Sequence, residues 1–262
     1  MTRRRWIADE VTGNTAALIG EHAAHLARVL RAEIGQEFDV ATGANVRRGT
    51  ITSISDERVE FALGLAHVVE PASFNSISKI TLALAIFKFD RMEWAIEKCT
   101  EIGVARIIPV IARRSDAHLA TPAVKRHERW QRIARQAAEQ SRRSAPPEIA
   151  APIKLKELAG DGVLRAGAPR VVLAESLTES LAEPLVDPLA ESEEGSRLGD
   201  ILRSSSSAGE VVLAVGPEGG WADEELAWFR ETGWAAASLG STILRAETAA
   251  IVATALALDA LR

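Results

Sequence analysis

Two glycine-bearing loops in tandem near the C-terminus constrain this chain more than any other feature. The first is Val215-Gly216-Pro217-Glu218-Gly219-Gly220-Trp221. The second is Leu239-Gly240-Ser241-Thr242-Ile243-Leu244-Arg245-Ala246-Glu247-Thr248-Ala249. Each follows a short apolar run, 211–215 and 235–239, that reads as a buried strand, and each leads into a helical pattern. Two strand–loop–helix units place both loops at the carboxyl ends of neighbouring strands, where open α/β sheets bind ligands. Glycine at 216, 219, 220 and 240 lets backbone N–H and C=O groups meet a ligand directly. A phosphate-binding loop needs Lys-Ser/Thr after its last glycine. Here Trp221-Ala222 follows, and Glu218 puts a carboxylate in the loop, which disfavours phosphate and favours a neutral or cationic ligand. S-adenosylmethionine, with an adenine that can bond to backbone and a positive sulfonium, fits. On these residues alone, turn punctuation with a solvated Glu218 is the competing reading.

The rest of the chain divides in two. Residues 1–72 read as a small β-rich domain. A helical stretch spans 21–32 with Leu26, Val29 and Leu30 on one face, and strands span 37–42, 46–54 and 58–69. Short strands around one helix suggest a small barrel. His22 and His25 read as surface or packing residues, and residues 70–76 as a linker. From residue 79 on, strand and helix patterns alternate, which implies an α/β fold with a largely parallel sheet. The run 79–87 is near-continuously apolar, as in a strand covered on both faces. Asp90 with Glu93 three residues on reads as a capping box, and Met92, Ile96, Cys99 and Ile102 recur at helical spacing. Strands follow at 106–112 and 170–174. A long helix runs from 121 to about 143 with Pro122 in its first turn, and the last helix opens at Glu247 or Thr248. Residues 175–210 form an acidic, Ser-rich segment that reads as a mobile surface stretch.

Net charge is −5, which at first argues against a nucleic-acid partner. The distribution argues the other way: 73–150 carries 14 Lys/Arg against 8 Asp/Glu, while 151–262 carries 9 against 18. Local fields attract phosphates, and the basic excess peaks in the helix over 125–143, with Arg113 and Arg114 close by after a strand. The single Cys99 rules out an internal disulfide and fits a reducing, cytoplasmic setting. Cys99 reads as a core residue. No apolar run reaches membrane-spanning length, Thr2-Arg3-Arg4-Arg5 is not followed by a signal-like segment, and no metal-ligand cluster is evident.

The two loops together closely resemble the C-terminal signature of the RsmE family, small-subunit ribosomal RNA uridine N3-methyltransferases of the SPOUT superfamily. The resemblance extends to His25-Leu26-Ala27-Arg28-Val29-Leu30-Arg31, Lys88-Phe89-Asp90-Arg91-Met92-Glu93-Trp94, Lys98-Cys99-Thr100-Glu101-Ile102-Gly103-Val104 and Glu139-Gln140-Ser141. It implies a SPOUT-type α/β domain over 73–262, with a parallel sheet flanked by helices and a trefoil knot at the C-terminal loops. It also implies a PUA-like β-barrel over 1–72 that binds RNA, a cytoplasmic homodimer, S-adenosyl-L-methionine as cofactor, and 16S rRNA of the small ribosomal subunit as partner, with a uridine of the 1498 type methylated at N3. No metal and no membrane are expected.

Carried onto this chain, the cofactor set is Glu175, Val215, Gly216, Pro217, Glu218, Gly219, Gly220, Leu239, Gly240, Ile243, Leu244, Arg245, Thr248 and Ala249. Arg245 and Glu247 are the catalytic candidates, and Thr248 a helix cap. Arg28, Lys88, Arg113, Arg114, Arg129, Arg132, Arg135 and Arg143 are the RNA-binding candidates. The chain departs from the pattern at Ala222, where a Ser commonly caps and Asp223 is expected to take over. It departs again at Arg142 and Ala145, where a Gly and a basic residue are usual. A ribose 2′-O-methyltransferase of the same superfamily and a noncatalytic RNA-binding or ribosome-assembly protein remain the alternatives.

Overall fold

The computed structural model describes residues 5–43, 45–67, 80–115, 117–174, 197–204 and 210–261. The chain forms two compact units: 1–76 with 135–146, and 77–134 with 147–262. The 70–76 linker and the 72/73 boundary lie outside the described residues, as does Glu175.

The first unit is one six-stranded sheet of β1 (Trp6–Ile7), β2 (Glu10–Thr12), β3 (Thr15–Ile19), β4 (Glu37–Ala41), β5 (Val46–Ile54) and β6 (Arg58–His67), in the order β1-β4-β5-β6-β3-β2. Only the β1–β4 pairing is parallel. Trp6, Leu18, Leu26, Val40, Ile51, Val59 and Phe61 fill its core. A Cβ at Gly49 would lie 2.7 Å from Val40 Cγ2, so glycine is required where β5 shifts register. The expected 21–32 helix is instead α1 (Glu21–Ala24) running into a π-helical turn, His25–Val29, in which the Leu30 N–H donates to His25 O at 3.1 Å. The wider turn breaks the 3.6-residue phase. Leu26 is fully buried, but Val29 and Leu30 are 65% and 48% exposed and leave the face assigned to them.

The second unit is a parallel sheet. Its strands are β7 (Ile80–Ala85), β8 (Arg106–Ile111), β9 (Glu148–Ile149), β10 (Ile153–Lys154), β11 (Arg170–Leu173), β12 (Val211–Val215) and β13 (Ala235–Ala237). Its order is β10-β8-β7-β12-β11-β13, with β9 also on β8. Its helices are α2 (Phe89–Ile102), α3 (Ala117–Gln140, through residue 134), α4 (Leu198–Ser204), α5 (Asp223–Glu231) and α6 (Ala246–Ala260). Strand periodicity sorts the core. Ile80, Leu82, Leu84, Val211, Leu213 and Val215 face one layer with Met92, Ile96, Cys99 and Trp130. Ala83, Ala85, Val212 and Ala214 face the other, with Trp221 and Phe229. Burial on both faces is why these strands read as continuous apolar runs.

Several boundaries move. The N-cap of α2 is Lys88, and Asp90 lies in the first turn without a capping bond. Met92, Ile96 and Cys99 are buried as expected, while Ile102 is half-buried. Helix α3 opens four residues early, so Pro122 lies inside it. Strand β13 ends at Ala237, two residues short of the expected run. Part of the stretch read as a mobile segment is ordered: α4 buries Leu198 and Leu202. The rest, 175–196 and 205–209, lies outside the described residues. Within the first unit, the last turn of α3 anchors the sheet. Arg135 pairs with Asp9 at 2.7 Å, and Ala138 packs with Ile7, Ala41 and Val46.

Candidate active site

Both glycine loops belong to the second unit, but their strands are not neighbours. β12 and β13 each pair with β11, which lies between them. The loops therefore flank the carboxyl end of β11, and Leu173 and Ala174 join them in lining a cavity of about 630 Å³.

The first loop is built from below. Gly220 N–H donates to Pro217 O at 2.9 Å in a tight turn, with Gly220 at φ 69°. Trp221 is buried beneath it and its indole Nε1 donates to Leu173 O at 3.1 Å. A Cβ at Gly216 would lie 3.2 Å from that nitrogen, tighter than most side-chain contacts, so glycine lets the backbone lie close over the ring. Arg114 Nη1 donates to Trp221 O at 3.0 Å and Gly219 O at 3.3 Å. The cap of α5 falls to neither Ala222 nor Asp223. Ala222 N–H donates to Glu225 Oε2 at 2.8 Å, and Glu225 Oε1 accepts the Arg113 N–H at 2.8 Å. Glu225 was missed from sequence, although a Glu three residues after an N-cap position is half of a capping box. The Arg113 side chain pairs with Glu224. Both arginines expected to meet RNA thus brace the first loop.

The second loop turns at Gly240, φ 133°, a conformation closed to other residues without strain. It carries Ile243, 84% exposed, and ends on Arg245, the N-cap of α6. Thr248 is therefore the third residue of α6 and not its cap; it does not line the cavity, whereas Ala246 and Ala249 do. Val215, Gly216, Pro217, Glu218, Gly219, Gly220, Leu239, Gly240, Ile243, Leu244 and Arg245 all line it as well.

The electrostatics differ from the sequence reading. Glu218 is not a free carboxylate, because Arg91 Nη1 donates to its Oε1 at 2.8 Å. Arg91, absent from the sequence-derived set, lines the cavity, and its Nε lies 3.8 Å from Glu247 Oε1. Three arginines line the cavity. Arg91 is engaged by acids and Arg114 by carbonyls, while Arg245 has no partner among the described residues. Glu247 is 4% exposed, and its Oε2 is the one buried carboxylate oxygen without a hydrogen-bond donor among the described residues.

The volume lies within the range of small-molecule sites, roughly 300–1,000 Å³. Bare backbone at the glycines, apolar walls from Val215, Leu239 and Leu244, and cations beside one acid suit a ligand carrying adenosine, a sulfonium and a carboxylate. Among the described residues no group of three or more His, Cys, Asp or Glu is placed to hold a metal. No described helix is long and apolar enough to cross a membrane.

The remaining RNA candidates are spread over both units. Arg28 pairs with Asp56 on the surface of the first. Arg135 is engaged by Asp9 and the Ile7 carbonyl, and burial pushes the half-buried Arg143 down to about 10. In the second unit Arg129 makes two bonds to Glu93, at 2.7 and 2.8 Å, with Arg126 adding a third at 2.8 Å. Lys88 is exposed at the head of α2, and Arg132 is exposed on α3.

Similarity to known proteins agrees with this geometry. Residues 75–258 match the RNA methyltransferase domain family, so the fold and the cavity define a protein of the RNA methyltransferase class. Ribosomal RNA small subunit methyltransferase E of Synechocystis sp. is 33% identical over 94% of this chain and 74% of its own length. Its counterpart in Mycobacterium bovis is 32% identical over 92% and 85%. The chain belongs to the ribosomal RNA small subunit methyltransferase E family. Among solved structures, the Neisseria gonorrhoeae enzyme bound to S-adenosyl methionine superposes with a TM-score of 0.77, at 27% identity, over 97% of this chain and 95% of that one. A putative methyltransferase from Legionella pneumophila in complex with the same cofactor gives 0.74 at 28% identity, over 98% and 97%.

Proposed function

We propose that this protein transfers the methyl group of S-adenosylmethionine to N3 of a specific uridine in 16S rRNA. The observation that carries the reading is the cavity between the two glycine loops, with Arg245, which has no partner among the described residues, on its wall and Glu247 two residues further along the chain. Relatives at 33% and 32% identity carry the ribosomal RNA methyltransferase name, and two structural neighbours hold the cofactor. The bound donor supplies an electrophilic methyl on a sulfonium. The sulfur–carbon bond breaks as the carbon–N3 bond forms, and the N3 proton must leave. Uracil N3 is a poor nucleophile until it loses that proton, so the site needs an acceptor and a cation for the resulting anion. Glu247, which sits next to the lining residue Ala246 and whose buried Oε2 has no donor among the described residues, is the acceptor in this reading; Arg245 stabilises the anion. The backbone of Gly216–Gly220 and of Leu239–Leu244 would hold the donor for transfer to the base.

The reading extends to features that the resemblance implies: a trefoil knot around the carboxyl end of β11, a PUA-like RNA-binding domain over 1–72 beside a SPOUT domain over 73–262, a homodimer, and action in the cytoplasm. The non-sequential order β12-β11-β13 supports the first.

The test is nucleoside mass spectrometry of 16S rRNA from cells lacking the enzyme, incubated with the protein and labelled donor. Label on the uracil base at a single position is expected. Label on ribose gives the 2′-O alternative, and no label with intact donor binding gives the noncatalytic one.

A further inference from the structure

We infer that Arg91 is a positioning residue that holds Glu247 for proton acceptance, an inference that rests on the function proposed above. Its guanidinium, on the first turn of α2, lies between two carboxylates from different elements. It is 2.8 Å from Glu218 in the first loop and 3.8 Å from Glu247 at the head of α6. Only Oε1 of Glu247 faces Arg91, which leaves Oε2 without a donor. A buried carboxylate with no cation beside it is costly; Arg91 supplies that cation at Oε1 of Glu247, which is 4% exposed, while Oε2 has no donor among the described residues. The bond to Glu218 fixes the guanidinium from its other side. A planar fork can serve two acids at once, which a point charge cannot do as well.

The first loop does not depend on Arg91 for its shape. Arg114 holds the Gly219 and Trp221 carbonyls, and Trp221 holds the Leu173 carbonyl. Loss of Arg91 should therefore fall on turnover and largely spare the donor site.

The experiment compares wild type, Arg91→Met, Arg91→Lys, Glu247→Gln and the double variant Arg91→Met/Glu247→Gln. It measures kcat, KM for S-adenosylmethionine and melting temperature. Arg91→Met should lower kcat by about 10²-fold with KM for the donor changed less than about threefold. Arg91→Lys should recover at least about tenfold of that loss. The double variant should be no slower than Glu247→Gln alone, because both changes remove one linked function. Unchanged kcat in Arg91→Met, a loss confined to KM, no recovery by Arg91→Lys, or losses that multiply in the double variant would each overturn the assignment. If Arg91→Met fails to fold, the Arg91→Lys and Glu247→Gln pair still decides: full activity in Arg91→Lys with unchanged KM supports a charge role, and loss as deep as in Glu247→Gln overturns it. Wild-type base methylation is read separately, so failure of the proposed function is distinguishable from failure of the Arg91 role.

Discussion

At the scale of single residues, the site depends on positions where only one side chain fits. Gly240 lines the cavity at φ 133°, and a non-glycine residue in that region is strained by about 1–3 kcal/mol. Gly240→Ala should weaken S-adenosylmethionine binding by about tenfold or more. Gly219→Ala should cost less, since its Cβ would meet Arg114 Cβ at an ordinary 3.4 Å. Titration calorimetry on the two variants checks the order; equal losses would mean that the second loop's backbone is not what holds the donor. Arg245 is the lining cation without a partner among the described residues, so Arg245→Gln should remove transition-state stabilisation worth ~10²–10³ in kcat. Single-turnover rates at saturating donor check it. Cys99 answers to the opposite logic. Burial pushes its thiol up to about 12, so it is a packing residue with no thiolate to offer.

At the scale of elements, α2 and α3 are joined through Glu93. Hydrogen bonds from Arg129, then its charge, and those of Arg126 hold the Glu93 carboxyl below its ordinary value of 4.5, against desolvation. A carboxyl depressed in the folded state contributes stability that is fully present above its unfolded value and is lost as pH falls through the folded one. Glu93→Gln should cost ~1–2 kcal/mol near pH 7, discounted for the exposure of both arginines, and much less at a pH well below the ordinary 4.5 of this carboxyl, once it is protonated in the folded state. Denaturant melts at the two pH values read this difference, and an equal cost at both would remove the ion pairs as its source. The same acid shows where sequence reading stops. Asp90 and Glu93 have the spacing of a capping box, yet Glu93 is drawn to two arginines more than thirty residues away, a tertiary competition that local spacing does not encode. The loops were legible because glycine, proline and flanking apolar runs act locally. Glu225 was legible in principle from its spacing to Ala222. Arg91 was not, since its role exists only where α2 meets the first loop and α6. The π-turn at His25–Val29 is a further case: periodicity assumes 3.6 residues per turn and misplaces Val29 and Leu30 once the turn widens. The interposed strand β11 escaped for a related reason, because order within a sheet is a long-range property.

At the scale of the whole molecule, the predictions concern association. Helix α6 turns Ala250, Ala253 and Ala257 toward the core and leaves Val252 half-buried and Leu256 39% exposed. That outer face is where a second copy is proposed to pack. Light scattering at micromolar concentration should give twice the 28.1 kDa chain mass, and Leu256→Arg should give the single mass; a monomeric wild type with full activity would exclude the dimer. RNA association is argued from exposed charge on α3. Arg129 and Arg135, although part of the basic run, are bonded to Glu93 and to Asp9. Replacing them would remove intrachain bonds along with any phosphate contact, and so would confuse stability with recognition. Lys125 is exposed on α3 and lines no part of the cavity. Each phosphate neutralised releases counterions and adds about 0.9 to the slope of log affinity against log salt on a duplex, about 0.7 on a single strand. Lys125→Gln should therefore flatten the slope for 16S rRNA fragments by up to ~1 unit, and weaken binding most at low salt. Donor affinity should be unchanged, because Lys125 does not line the cavity between the glycine loops. A wild-type slope in this variant would move phosphate recognition off this face of α3, to Lys88 at the head of α2 and to the first unit, where Arg28 and Arg31 lie on the surface.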